Sequence, residues 1–500
     1  MNNKRLKGVI ALISICFFVV SLIQPTQVFA YADSKISDKA REHILGELEK
    51  ARIPNAAIAI LQEDEISYIF KDSTQDTLFE IGSVSKSFTA FGVLLLEDKG
   101  KLSVDDPVNK HLPWFEVNYQ GVSVPHEDIT IRNLLNHTSG FTSHEGHFAP
   151  VHDLITTDEL IRQIIGSNLA FYPSEEFAYG NINYVLLGFI IEAVSGLSYD
   201  EYMKQNVLKP LDLHSTFTSR ERAHETGLVI GGNRLGFLRI WSREVKFSDF
   251  IVPTGNIYSS IADMGRWAQI QLGLVDIDEQ FRKVVKRSHS LKPSNEALFD
   301  SLIESMGGFY AAGWGVETNN EDINHAGMTT GYTAVVHMLP KRNTAVVFLN
   351  NLTHAPVDFI PDFVLETIED GSFNTLPTAI FAIMDLIYTI LTIVGIIVTG
   401  VFIWYAFRLA KKLQSGYKIK CKFSFKNIML LFLPLALLTV TIGWNALLCI
   451  TFGNKFTFIV LYSPLSYVYA NISMVAMAVY ALCFWWAKIF IQPKYPKDKQ

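Results

Sequence analysis

Between Tyr31 and Leu376 this chain of 500 residues has no cysteine. A disulfide framework is excluded for that segment, so an apolar core must hold it together, and its length is enough to build one. The segment also lacks a positive balance. It carries 28 Lys and Arg against 47 Asp and Glu, a net charge near −19 against −6 for the whole chain. That argues against nucleic acid as a partner. Internal repeats and low-complexity stretches are missing as well. His144-Glu145-Gly146-His147, with His152 nearby, lacks the four-residue histidine spacing of zinc proteases, so no metal and no cofactor is expected.

The four cysteines lie elsewhere, at positions 16, 421, 449 and 483. Cys16 follows the bulky Ile15 in mid-run, which is the wrong setting for a lipoprotein cysteine. Around it, Lys4, Arg5 and Lys7 precede an apolar run from Val9 to Ile23, and Val28-Phe29-Ala30 offers a cleavage point. Residues 1–30 therefore read as a secretory signal peptide, or as an anchor if left uncleaved. Residues 31–376 read as an extracytoplasmic domain. After Pro377 the composition turns apolar, with runs over 378–407, 428–452 and 460–491. Each exceeds the ~20 residues a helix needs to cross a bilayer, so 377–491 is expected to be a membrane domain of three spans.

The loop between the first two runs holds Arg408, Lys411, Lys412, Lys418, Lys420, Lys422 and Lys426 without an acid. Positive-inside bias puts that loop and the 492–500 tail in the cytoplasm. The 31–376 domain is then outside, in agreement with the signal peptide. The expected location is the cell membrane, multi-pass, with the lipid bilayer as a partner. Asp385 falls in the outer half of the first span, where an acid must pair within the bundle or face a cavity.

Within 31–376, Ala56–Leu61 and Ile66–Phe70 read as a strand hairpin, as do Tyr332–Leu339 and Thr344–Leu349 around Pro340-Lys341-Arg342-Asn343. Ala311–Val316 is a further expected strand. Helical patterns occupy Phe88–Leu96, Asp158–Ile165, Tyr184–Val194 and Ala262–Leu272. Strands at both ends and helices between them predict one α/β domain whose termini share a sheet.

Ser83-Val84-Ser85-Lys86 opens one of these helices. A serine and a lysine three apart share a helical face, where the amine can help deprotonate the hydroxyl. The alternative is an N-capping serine before a surface lysine. The same spacing recurs in Ser415-Gly416-Tyr417-Lys418, inside the basic loop, where lipid-facing charge accounts for it. Tyr179-Gly180-Asn181 offers a phenol that can relay protons if nearby cations depress its pKa, and an amide that can orient a carbonyl. In His325-Ala326-Gly327, between two predicted strands, the small pair lets a substrate backbone approach a strand edge, and the Met328 amide could donate to an oxyanion. Each of the last two also reads as an ordinary loop or turn. His137 reads as satisfying loop backbone groups.

In this order and spacing the three motifs resemble the serine β-lactamase and penicillin-binding protein superfamily, in the branch of class C enzymes, esterases and D-amino-acid peptidases. Phe79-Glu80-Ile81-Gly82, Leu134 to Gly140, Tyr184 to Gly188, Lys209-Pro210-Leu211 and Ser259 to Met264 agree with that resemblance. It covers about residues 35 to 365. With three spans added, the chain looks like a membrane-anchored subgroup.

The resemblance implies a β-lactamase/DD-peptidase-like α/β fold, an antiparallel sheet from both termini with a helical insert, followed by an all-α membrane domain. It implies Ser83 as nucleophile, with Lys86 and Tyr179 sharing its proton. Asn181 would position the substrate amide. His325 would occupy the site that binds a carboxylate or supports the tyrosine, and Gly327 and the amides of Ser83 and Met328 would bound the oxyanion. Gly180 stands where Ser or Ala is commoner. Histidine in place of lysine at position 325 ranks β-lactam hydrolysis below peptidase or esterase action. The implied substrates are D-amino-acid-containing peptidoglycan or teichoic-acid components, or a secreted peptide precursor. A β-lactamase and a slowly acylating sensor are the other readings.

Overall fold

The computed structural model describes residues 36–142, 155–243, 247–318, 321–353, 355–377, 379–414, 425–451, 460 and 463–490. The signal peptide, the His144–His152 stretch, the Ser415–Lys418 motif and the C-terminal tail lie outside the described residues. Helices that matter here are α1 (Asp38–Lys50), α2 (Ser85–Asp98), α3 (Asn181–Ser195), α4 (Ile261–Leu272), α5 (Ala379–Gln414), α6 (Phe425–Thr451) and α7 (Leu465–Phe490). The strands are β1 (Ala56–Gln62), β2 (Glu65–Lys71), β3 (Asn233–Gly236), β4 (Arg239–Ser242), β5 (Gly308–Tyr310), β6 (Gly315–Glu317), β7 (Ile323–Met328), β8 (Thr333–Leu339) and β9 (Thr344–Asn350).

Seven strands form one sheet in the order β5-β6-β7-β8-β9-β1-β2, antiparallel throughout. The two ends of the domain meet where β1 pairs β9, with Ala56 opposite Asn350 and Gln62 opposite Thr344. Both expected hairpins are present. Along β1 side chains alternate between faces. Ala57, Ala59 and Leu61 join the larger core with Phe88, Met264 and Trp267, whereas Ala56, Ile58 and Ile60 pack with Ile44, Leu48, Phe363 and Val364. The sheet is therefore covered on both faces, and all seven residues of β9 are buried.

Two expectations change. Ala311–Val316 is not one strand: β5 and β6 turn back on each other around it, Tyr310 pairing with Gly315. The His325 motif lies inside a strand, β7, held by β8 with His325 opposite Val336. The helix after Ser83 is also buried more deeply than one apolar face implies, since every residue from Ser85 to Leu96 is shielded.

Beyond Leu376, two helices among the described residues are long and apolar enough to cross a membrane, over Phe381–Lys411 and Leu465–Trp485. These match the first and third expected spans; the second corresponds to α6, whose described apolar part is the shorter Pro434–Leu448. Helices α5 and α7 approach closely where a methyl on Gly395 would come within 2.5 Å of the Ser473 hydroxyl. Their exposed residues include Ile383, Ile387, Ile390, Ile396 and Ile397, while Asp385, Thr389, Thr392, Ser466 and Ser473 are buried.

Candidate active site

Ser83 sits in a single 3₁₀ turn, Gly82–Val84, that feeds directly into α2. The turn is made by Gly82 at φ 54°, and it lies backbone to backbone against β7. A methyl on Gly82 would fall 2.4 Å from the Met328 nitrogen, and one on Gly327 would fall 2.1 Å from the Ile81 oxygen and 2.9 Å from the Ser83 nitrogen. Only glycine fits at either position. Thr329 donates its amide to Tyr332 across the β7–β8 turn. Strand alternation then directs the Met328 N–H to the opposite side, toward Ser83. The amides of Ser83 and Met328 thus lie side by side where Gly82 and Gly327 meet, and two neighbouring main-chain donors are what an oxyanion requires.

Lys86, one turn along α2, is fully buried. Its Nζ lies 3.0 Å from Ser83 Oγ, 2.8 Å from Asn181 Oδ1 and 2.6 Å from the Thr254 carbonyl. Burial pushes its pKa well below the ordinary lysine value. A neutral amine has two N–H groups and one lone pair. Asn181 Oδ1 and the Thr254 carbonyl can only accept, so they take both N–H groups, and the lone pair is left facing the Ser83 hydroxyl. That geometry lets Lys86 act as a base toward Ser83.

The Tyr179 ring lies 4.9 Å from Lys86 Nζ, centroid to nitrogen. Its hydroxyl is buried and closes no well-aligned hydrogen bond. Burial raises the Tyr179 pKa, and the neighbouring Ser83 hydroxyl offsets only part of that rise. The depressed pKa expected of a relay is therefore not found. Desolvation is the leading cause, and it favours the neutral phenol over a phenolate. Asn181 is the first residue of α3, which aims its amide inward. Behind the loop, His137 Nδ1 accepts from the Gly180 amide at 3.3 Å and from Asn183 Nδ2 at 2.9 Å. His137 is a strut for the loop, as its sequence setting indicates.

His325 is buried within β7. Its Nδ1 donates to the Ala326 carbonyl at 2.7 Å, so Nε2 accepts from the Tyr310 hydroxyl at 2.9 Å. Burial, with a smaller contribution from Lys86, lowers its pKa to about 3. The imidazole is neutral with both nitrogens committed, and its ring centre is 6.4 Å from that of Tyr179. These contacts bring Ser83, Lys86, Tyr179, Asn181, His325, Gly327 and Met328 together. Tyr310 and the Thr254 carbonyl complete the cluster and were not anticipated. A main-chain carbonyl has no sequence signature, while Tyr310 reaches His325 only through strand pairing.

A sheet made from both ends of the domain, with a helix that starts against β7 and is buried from Ser85 to Leu96, is a β-lactamase-like fold. The Beta-lactamase family profile matches residues 40–368, and the chain belongs to that family. It is 28% identical over 452 residues to Protein flp of Staphylococcus aureus strain N315, covering 86% of this chain and 85% of that protein. Penicillin-binding protein 4* of Bacillus subtilis strain 168 is 28% identical over 298 residues, 55% of this chain and 61% of that protein. Among solved structures, the octameric penicillin-binding protein homologue from Pyrococcus abyssi superposes with a TM-score of 0.56 at 24% identity, covering 68% of this chain and 79% of that one. A class C beta-lactamase gives 0.54 at 20%, over 66% and 95%.

Proposed function

We propose that this protein is a membrane-anchored serine hydrolase with its active site outside the cell. It forms an acyl-enzyme on Ser83 from an amide or ester next to a D-amino acid. The observation that carries this reading is the buried Lys86 amine, 3.0 Å from the Ser83 hydroxyl and fixed by two acceptors behind it. Ser83 Oγ attacks the carbonyl carbon and its proton passes to Lys86. The resulting oxyanion is held by the amides of Ser83 and Met328. Collapse expels the amine or alkoxide, which takes a proton from Tyr179, and Lys86 returns its proton to the phenol. Asn181 Nδ2 remains available to the substrate carbonyl. Water then attacks the acyl ester, releasing the acid and regenerating Ser83.

Membrane anchoring is supported by the two long apolar helices, the apolar run over 428–452 between them and the charge bias of the loops. A penicillin-binding relative supports a D-amino-acid acyl donor. Wall peptides, D-alanyl esters of wall polymers and secreted peptide precursors all carry that chemistry. The neutral His325 offers no cation to a drug carboxylate, which ranks β-lactam turnover lower. Mass spectrometry after fluorophosphonate or β-lactam labelling tests the assignment. One adduct is expected on the wild type and none on Ser83→Ala; an adduct that persists in the mutant would refute it.

A further inference from the structure

Outside the site, the most unusual local structure is the tip of the β3–β4 hairpin. Its two turn residues, Phe237 and Leu238, have φ of 54° and 59°. Bulky side chains disfavour that left-handed region, and two such residues in succession form a turn that asparagine–glycine normally fills. Asp385 on α5 holds it. This fully buried carboxylate accepts from the Phe237 amide at 3.0 Å, the Leu238 amide at 2.7 Å and the Ser466 hydroxyl of α7. Arg234, also buried, donates to the carbonyls of Ser463 at 2.7 Å and Val460 at 2.6 Å. A methyl on Gly236 would come within 2.5 Å of Leu465 Cβ. Hydrogen bonds and close packing thus seat the hairpin on the apolar helices.

The other end of the hairpin meets the oxyanion edge. The Asn233 amide donates to the Gly331 carbonyl at 3.1 Å. The Thr353 hydroxyl lies 3.3 Å from the Asn233 carbonyl and 3.4 Å from that of Thr329. Gly232 and Gly331 touch main chain to main chain, a methyl on either falling within 2.9 Å of the other's Cα. Gly331 follows Met328 on the same β7–β8 connection, so the path from Asp385 to the Met328 amide is short and made of backbone.

We propose that Asp385 is a positioning residue. By clamping the Phe237–Leu238 turn to the apolar helices it fixes the hairpin, and through Gly331 the hairpin sets the Met328 amide against Ser83. This rests on the reading of Ser83 as the nucleophile. It also gives the C-terminal helices a role in the chemistry, since removing the clamp would leave the oxyanion opening loose.

The test uses the full-length protein in lipid nanodiscs with a fluorophosphonate probe, in which Ser83 Oγ displaces fluoride from phosphorus. The maximal labelling rate, the half-saturating probe concentration and the final stoichiometry are measured separately. For Asp385→Ala a roughly tenfold fall in maximal rate is expected, as for a modest misplacement of a catalytic donor. Half-saturation and final stoichiometry should hold. Asp385→Asn, which keeps one acceptor, should fall between. Adding Phe237→Asn and Leu238→Gly to Asp385→Ala supplies a turn that adopts this conformation unaided and should restore the rate to within about twofold. A wild-type rate in Asp385→Ala would overturn the proposal. So would a loss confined to stoichiometry, or a slowed rate that the Asn–Gly turn leaves uncorrected. Labelling of Ser83→Ala would instead refute the nucleophile, a result distinct from all of these.

Discussion

Lys86 and Asp385 are both wholly shielded from solvent, one in the β-lactamase-like domain and the other on the first apolar helix. Lys86 meets three oxygens, two of which can only accept. Asp385 meets two backbone amides and a hydroxyl that can all donate. Burying an ionisable group is expensive in either setting, so its partners decide what it becomes. The amine, packed in an apolar core among uncharged acceptors, has a lowered pKa and a lone pair to use. The carboxylate accepts three hydrogen bonds and works as a joint. The two regions differ in the same sense at larger scale. The domain hides Phe88, Trp267 and Trp314, whereas α5 and α7 expose isoleucines and hide threonines and serines. The second order suits hydrocarbon surroundings.

The comparison breaks most completely at Lys86. Lys86→Met is expected to slow Ser83 labelling about 10³-fold, within the range for loss of a general base. Lys86→Arg should be as slow, because a guanidinium stays charged and has no lone pair to offer. Stopped-flow acylation with a chromogenic ester reads both. At the other region, Ile396→Lys places a charge where 61% of the side chain is exposed on α5, and Val122→Lys does so where 69% is exposed on the domain. The first should oppose membrane insertion by about 3 kcal/mol. The second should change nothing. Retention in the membrane fraction after alkaline extraction separates them, and equal retention would mean that α5 faces water.

The pH dependence sharpens the contrast further. Neutral Lys86 is the reactive form, so acylation should rise about tenfold per pH unit below its folded pKa and level off above it. Because that pKa is lowered by burial, the plateau should be reached below the ordinary lysine range. Protonating a buried amine is penalised only in the fold, so this group costs stability increasingly as pH falls from its unfolded toward its folded pKa. A rate that climbs only at ordinary lysine pH would show the amine to be charged in the resting enzyme.

The serine–lysine pair was legible because both residues lie on one helix turn, where spacing alone fixes proximity. The strand hairpins at both ends were legible from alternation and turn residues. His325-Ala326-Gly327-Met328 does not read as a strand, since Gly327 interrupts it and none of the four residues is β-branched. It becomes β7 because Val335 and Val336 of β8 pair with it. The depth of Lys86 is not legible in the sequence, because burial on all sides from Ser85 to Leu96 comes from the elements packed around α2. Asp385 was recognisable as an acid that needed a partner. Its partner was not, because Phe237-Leu238 carries no turn signal, and only the assembled contact explains why that turn exists.

Tyr310→Phe is the smallest expected change. The ring would keep its packing, 4.7 Å from His137 and 5.6 Å from His325 between centroids. Only the hydroxyl that donates to His325 Nε2 is lost. A hydrogen bond of this kind is worth about 1 kcal/mol net, so labelling should slow by no more than about fivefold. The shape of the pH profile is the more informative measurement. Burial is the main cause of the low His325 pKa, and the hydroxyl is not among its causes. No new limb should therefore appear between pH 5 and 7. If one did, the tyrosine rather than the core would be keeping His325 neutral. His325 would then resemble Lys86, a group whose protonation the site uses, instead of a fixed support.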